Sequence, residues 1–82
     1  MSEDTIIVYA TDWCGDCRRA RKFFDKHRIP YRWINIDNDE QGERFVKETN
    51  QGNRSVPTIV LPDGRILVEP SNQQLVETFS SK

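Results

Sequence analysis

The chain has 82 residues, of which 35% are hydrophobic, and 12 Lys and Arg oppose 13 Asp and Glu for a net charge of −1. So short and polar a chain builds one small core, which excludes a second domain and predicts a single domain over residues 1–82. The charge balance excludes the basic footprint of nucleic-acid-binding proteins, and no run approaches the roughly 18 apolar residues of a membrane span. The polar, acidic residues 1–5 do not resemble a secretory signal, which predicts a cytoplasmic protein. Nothing requires an oligomer, so we expect a monomer.

The first predicted elements are a strand, a helix and a strand. Residues 5–10 are continuous and mostly β-branched, as in a strand buried on both faces. A helical period follows from Gly15 to about Arg28, and residues 31–36 alternate like a second strand. Three such elements within about thirty residues form a βαβ unit with parallel strands. The apolar face of the helix comprises Cys17, Ala20, Phe23, Phe24 and His27.

Two helices and a hairpin are predicted in the second half of the chain. Asp-Asn-Asp at residues 37–39 offers N-cap and acidic side chains for the start of a helix, and Gly52 suits the C′ position after its end. Residues 58–61 and 66–68 flank a turn and read as a β-hairpin. The order β-α-β-α-β-β-α predicts an α/β fold with one mixed four-stranded sheet and helices on both faces. The last helix opens on a capping box, Ser71 with Gln74, and would turn Leu75, Val76 and Phe79 inward.

The two cysteines lie where the first strand gives way to the first helix. Cys14 is at or just before the helix N-terminus, where free N–H groups and the helix dipole favour a thiolate. Cys17 is a neighbour of Cys14 on the first turn, begins the apolar face, and should be the more buried thiol. The spacing predicts that Cys14 attacks a disulfide and that Cys17 resolves the resulting mixed disulfide.

Two other uses of a cysteine pair were weighed against redox chemistry. A structural zinc site wants four ligands, and the chain offers no third cysteine and one histidine, His27, so no metal site is expected. A structural disulfide is unusual in a cytosolic chain, and so short a loop constrains the unfolded state little. A Cys-x-x-Cys pair in a βαβ setting instead favours redox activity.

The sequence resembles the glutaredoxin-like branch of the thioredoxin superfamily over nearly its whole length. The likeness is carried by Trp-Cys-Gly-Asp-Cys at residues 13–17, Ser-Val-Pro-Thr at 55–58, Asp-Gly at 63–64 and Pro-Ser at 70–71. The stretch at residues 52–58 is similar to the mycoredoxins, which are actinobacterial proteins that reduce mixed disulfides with mycothiol. The resemblance implies the thioredoxin fold and a cis peptide bond between Val56 and Pro57.

The resemblance also implies a set of residues that bind substrate or thiol. The backbone of Val56, presented by Pro57, would pair with an extended substrate. Trp13 forms an apolar rim or simply packs, and Arg54 contacts substrate or thiolate or is simply solvated. Ser71 lies at the turn that binds a glutathione carboxylate in glutathione-using glutaredoxins, although capping also explains it.

Two acidic residues depart from the family pattern. Asp16 stands where tyrosine is common, and Asp12 stands where many glutaredoxins have lysine. Both charges disfavour a thiolate at Cys14 and disfavour anionic glutathione, although the basic residues after Cys17 partly offset them. The local charge therefore favours a less anionic thiol, such as mycothiol, or direct reduction of protein disulfides.

The sequence thus predicts a dithiol thiol-disulfide oxidoreductase. It would hold no bound cofactor and use a low-molecular-weight thiol, mycothiol or glutathione, as co-substrate. Its partners would be disulfide-containing or S-thiolated proteins. One alternative is the same chemistry recharged by thioredoxin reductase, as in ribonucleotide-reductase donors. A non-enzymatic alternative is an iron–sulfur or zinc carrier.

Overall fold

The computed structural model describes residues 5–79, so the acidic start on which the cytoplasmic prediction rests lies outside the described residues. Within residues 5–79, no helix is long and apolar enough to cross a membrane. The predicted order of elements is confirmed. The elements are β1 (Ile6–Ala10), α1 (Gly15–Lys26), β2 (Tyr31–Asn35), α2 (Glu40–Thr49), β3 (Thr58–Val60), β4 (Ile66–Val68) and α3 (Asn72–Phe79).

The four strands form one mixed sheet in the order β2-β1-β3-β4. β1 and β2 are parallel, with Ile6 opposite Tyr31, while β3 runs antiparallel to both β1 and β4. Tyr9, near the end of β1, lies opposite Thr58, the first residue of β3. This register brings the segments after β1 and β2 to the same sheet edge as the segment before β3.

Both faces of the sheet are covered by helices, as predicted. On one face α1 and α3 pack against each other and against alternate residues of β1. On the other face α2 packs against β1, with the rings of Tyr9 and Phe45 4.7 Å apart. A Cβ on Gly42 would lie 3.0 Å from Ile34 Cγ2, so glycine allows this close approach. The main core comprises Ile6, Val8, Ala10, Cys17, Ala20, Phe24, Ile59, Leu61 and Leu75.

Two helix ends differ from the prediction. α1 ends at Lys26, because Arg28 takes a positive φ of 56°, and His27 is exposed rather than part of the apolar face. At the end of α2 the left-handed C′ residue is Gln51, with φ 60°, so the assignment of Gly52 to that position is wrong by one residue. Gly52 follows as C″ and donates its N–H to the Lys47 carbonyl at 2.6 Å, which completes a Schellman motif.

The capping box before α3 is confirmed. Ser71 Oγ accepts from the Gln74 N–H at 3.1 Å, and Gln74 Oε1 accepts from the Ser71 N–H at 2.8 Å. Leu75 is fully buried and Phe79 is half-buried, but Val76 is 46% exposed. The prediction for Val76 is therefore wrong, because adjacent helix positions point about 100° apart and α3 buries only a narrow stripe.

Candidate active site

Cys14 is the N-cap of α1, as its position in the sequence predicted. Its backbone is extended, with φ −83° and ψ 125°, and its carbonyl accepts the first helical hydrogen bond from Arg18 at 3.1 Å. Its side chain does not cap the helix and is partly exposed. The Cys14 thiol instead points across the sheet edge, where Sγ lies 3.9 Å from the Val56 carbonyl oxygen.

Cys17 is fully buried on the first turn of α1, so the prediction that it is the less accessible thiol is confirmed. Burial raises the pKa of Cys17 from 9.0 to about 12, and the neighbouring Cys14 acts in the same direction. The backbone and side chain of Thr11 oppose the shift by hydrogen bonding to the thiolate form. The Thr11 hydroxyl is buried, and in the reduced protein it has no hydrogen-bond partner among the described residues.

The loop before β3 carries the cis peptide bond between Val56 and Pro57 that the resemblance implied. Pro57 is buried, and its carbonyl accepts from the Glu69 N–H at 2.9 Å. The buried Thr58 hydroxyl donates to the Ser55 carbonyl at 2.7 Å and accepts from the Asn50 amide at 3.2 Å. Pro57 and Thr58, directly after Val56, are therefore held to the residues that follow β4 and α2.

Trp13 and Arg54 meet at one carboxylate, that of Asp37. Trp13 is 65% exposed, and its indole Nε1 donates to Asp37 Oδ2 at 2.8 Å. Arg54 Nη2 donates to Asp37 Oδ1 at 2.8 Å, and its Nε donates to Glu43 Oε2 at 2.8 Å. The bonds from Arg54 and then from Trp13 hold the pKa of Asp37 below its ordinary value. Arg54 is thus paired with two carboxylates while its side chain remains exposed.

The two aspartates that depart from the family pattern each have a partner. Asp12 accepts from Trp33 Nε1 at 3.3 Å and from the Asn35 amide at 3.2 Å. Asp16 pairs with Arg19 at 3.3 Å, one turn along α1. Arg19 is a cation, so the unfavourable charge of Asp16 near the thiols is partly offset, whereas that of Asp12 is hydrogen-bonded but not neutralised.

Ser71 is connected to the site only indirectly. Its hydroxyl serves the capping box, which is the plainer of the two roles that the sequence left open. The preceding Pro70 carbonyl accepts from Arg19 Nη2 at 3.4 Å, the same nitrogen that pairs with Asp16. This contact ties the start of α3 to the first turns of α1.

Three residues of this site escaped the sequence analysis: Thr11, Asp37 and Glu43. Asp37 was assigned only to the start of α2. A signal was nevertheless present, because residues that follow two parallel strands meet at the same sheet edge. Trp13 follows β1 and Asp37 follows β2, so their proximity follows from the predicted βαβ unit. No comparable pattern marks Glu43 or Thr11.

The arrangement suits thiol–disulfide exchange. A partly exposed thiol sits at a helix N-terminus, and a buried thiol stands behind it on the same turn. In the described part of the chain, no three His, Cys, Asp or Glu side chains group as metal ligands. Fold and site together define a thiol-disulfide oxidoreductase of the thioredoxin fold.

Comparisons with known proteins place the chain within that class. Residues 6–67 match the family model described as Glutaredoxin, and the chain belongs to the glutaredoxin family. It is 38% identical over 71 residues to mycoredoxin 1 of Corynebacterium glutamicum, covering 87% of each chain. It is 36% identical over 75 residues to a glutaredoxin-named protein of Mycobacterium tuberculosis, covering 92% of this chain and 89% of that one. A mutant of a thioredoxin-like protein shares the fold, with a TM-score of 0.80 at 21% identity over the whole of both chains.

Proposed function

We propose that the protein reduces disulfides and mixed disulfides of other proteins through Cys14, and that a low-molecular-weight thiol of mycothiol type restores it. The observation that carries this proposal is the partly exposed Cys14 thiol at the α1 N-terminus, 3.9 Å from the Val56 carbonyl, with Cys17 buried behind it. Only Cys14 is placed to meet a sulfur that arrives from solvent.

The reaction proceeds in four exchanges, and the small thiols carry out the last two. The Cys14 thiolate attacks one sulfur of the substrate disulfide, and the other sulfur leaves as a thiolate that takes up a proton. Cys17 then loses its proton and attacks Cys14 Sγ, forming the Cys14–Cys17 disulfide and releasing the second substrate thiol. Two small thiols reduce that disulfide and leave as their own disulfide. Two electrons thus pass from the small thiols to the substrate.

The residues around Cys14 supply binding rather than chemistry. The Val56 backbone pairs with an extended substrate, and Pro57 fixes the direction in which that backbone faces. The exposed indole of Trp13 gives a flat apolar surface on the other side of the thiol. Ser71 and Asp16 border the opposite side, where Arg19 links their two segments.

The charged residues of the site favour an uncharged thiol as the reductant. Glutathione carries two carboxylates, whereas mycothiol carries none. Arg54, the cation of the loop before Pro57, is engaged by both Asp37 and Glu43. A glutathione carboxylate would have to compete with two carboxylates already in place, at the cost of leaving them unpaired. An uncharged thiol meets no such competition.

A trapping experiment tests the roles of the cysteines. The Cys17→Ser variant, given a mixed-disulfide peptide, should accumulate a covalent adduct at Cys14, because the second exchange cannot occur. The Cys14→Ser variant should form no adduct and show no turnover. Mass spectrometry of the digested adduct identifies the modified residue. An adduct at Cys17 would reverse the assignment.

A second experiment identifies the reductant. The oxidised protein is incubated separately with mycothiol, with glutathione, and with thioredoxin reductase and NADPH, and the return of free thiols is followed. Mycothiol should be the fastest. A faster recovery with glutathione would contradict the charge argument, and recovery with the reductase alone would establish the alternative electron source.

A further inference from the structure

Asp37 occupies an unusual place among the residues of the site. It follows β2 and touches neither cysteine in the hydrogen-bond network, yet its two oxygens serve the two loops that flank Cys14. Oδ2 accepts from Trp13, the residue before Cys14, and Oδ1 accepts from Arg54, in the loop before Pro57. Both distances are 2.8 Å, which is the length of a strong charge-assisted bond for the arginine.

The position of Asp37 is itself fixed by further contacts. Its backbone N–H donates to Asn35 Oδ1 at 2.9 Å, and the Asn35 amide donates to Asp12 at 3.2 Å. On the other side, Arg54 is held by Glu43 of α2 at 2.8 Å. The carboxylate therefore links the segment after β1 to the loop before β3, and Arg54 extends this link to the first turn of α2.

We infer that Asp37 is a positioning residue that sets the distance between the Trp13 indole and the Val56–Pro57 loop, and so the width of the groove in which a protein substrate lies over Cys14. Trp13 is 65% exposed and has little packing to hold it. A tryptophan so exposed explores several rotamers unless a partner at its N–H selects one. Asp37 supplies that partner.

This inference rests on the proposed function and adds how the same site binds its substrate. An extended segment that pairs with Val56 would lie between two walls, the loop and the indole. Removing the link between the walls should weaken the binding of a peptide that touches both. It should affect far less a small disulfide that reaches Cys14 without spanning the groove.

The test uses two variants of graded severity. Asp37→Ala removes both acceptors. Asp37→Asn keeps one oxygen for Trp13 but loses the charge and turns an amide toward Arg54. With a mixed-disulfide peptide as substrate, we expect Asp37→Ala to raise KM about threefold to tenfold with a smaller change in kcat, and Asp37→Asn to raise it less.

The matched control is Asp63→Ala. Asp63 also pairs with an arginine, Arg65, at 2.8 Å, but it lies in the β3–β4 turn at the opposite sheet edge. This variant should leave KM for the peptide unchanged. Circular dichroism and thermal unfolding of each variant show whether the fold is retained.

A double-mutant cycle identifies the route by which Asp37 acts. Trp13→Phe keeps an aromatic ring but removes the N–H donor. If Asp37 acts by holding the indole, Asp37→Ala, which removes the acceptor for the indole N–H, should change KM much less in the Trp13→Phe background than in the parent. In a Trp33→Phe background, the fluorescence anisotropy of Trp13 should fall when Asp37 is replaced.

The possible failures are distinguishable. A parent protein that reduces no disulfide overturns the proposed function. An active parent whose KM is the same in Asp37→Ala, or whose kcat falls as much for the small disulfide as for the peptide, overturns the role of Asp37 alone. Strict additivity of the Asp37 and Trp13 substitutions would also overturn it.

Discussion

At the scale of single residues, the two cysteines have the same side chain and opposite surroundings. Cys14 occupies the N-cap position of α1 and is partly exposed, whereas Cys17 lies in the core and its pKa rises to about 12. The buried thiol is therefore protonated at neutral pH, and it would have to lose that proton to attack a mixed disulfide at Cys14. Thr11 moderates this cost, since its backbone and hydroxyl favour the thiolate.

The raised pKa of Cys17 predicts how stability depends on pH. A thiol whose pKa is higher in the folded state contributes stability that is fully present below its unfolded value of 9.0 and is lost as the pH rises toward about 12. We expect the reduced protein to lose more free energy of unfolding than Cys17→Ser between neutral pH and about pH 11. Urea unfolding under reducing conditions measures this difference.

Cys17→Ser serves as the control for the parent protein, because it retains Cys14 and every tyrosine and lysine that titrates in the same pH range. Parallel stability curves for the two proteins would contradict a buried Cys17 with a raised pKa. A steeper curve for the parent would support it.

At the scale of elements, the N-termini of the helices determine where the residues of the site lie. Asp39 is the N-cap of α2, and its side chain accepts from the Gly42 N–H at 2.8 Å. This cap fixes the start of α2 and, with it, Glu43, the residue that holds Arg54. A local signal for helix formation therefore also determines where the cis-proline loop is tethered.

Replacing the cap should destabilise the fold. We expect Asp39→Ala to lower the free energy of unfolding by about 1 kcal/mol, the usual cost of losing an acidic N-cap. Urea denaturation followed by circular dichroism measures the loss. The matched variant is Gln41→Ala, which changes an exposed residue of the same turn and should have little effect. Equal losses in the two variants would contradict the role of the cap.

At the scale of the whole molecule, a small core supports a site that needs no enclosed pocket. Phe24 is fully buried where α1, β2 and α3 meet, and its ring lies 5.4 Å from Tyr31 and 5.5 Å from Phe79. Cys17 belongs to the same core cluster. The packing that stabilises the fold therefore also buries the second thiol.

Truncating a side chain of this core should strongly lower the free energy of unfolding of so short a chain. Phe24→Ala should cost about 3–5 kcal/mol, which is a large part of the roughly 5–15 kcal/mol that stabilises an ordinary domain. Phe24→Leu should cost less because it leaves a smaller cavity. Thermal and urea unfolding measure both variants. A loss below that of Asp39→Ala would show that the ring contributes little.

Local patterns in the sequence predict the order of elements, the capping box at Ser71, and the placement of Cys14 and Cys17 at the start of α1. These features depend on residues within a turn or two of one another, so periodicity and spacing reveal them. The resemblance added the cis bond at Pro57. Where local signals competed, the prediction was wrong, as for the helix end at Gly52 and the burial of Val76.

The surroundings of the two thiols depend on contacts between distant parts of the chain. The Cys14–Val56 contact joins residues 42 positions apart, and the bonds of Asp37 reach 24 positions to Trp13 and 17 to Arg54. Such contacts depend on strand order and register, which bring distant segments to one sheet edge. A charged residue has the same local pattern whether it is solvated or paired, so the sequence could name Arg54 but not its partners.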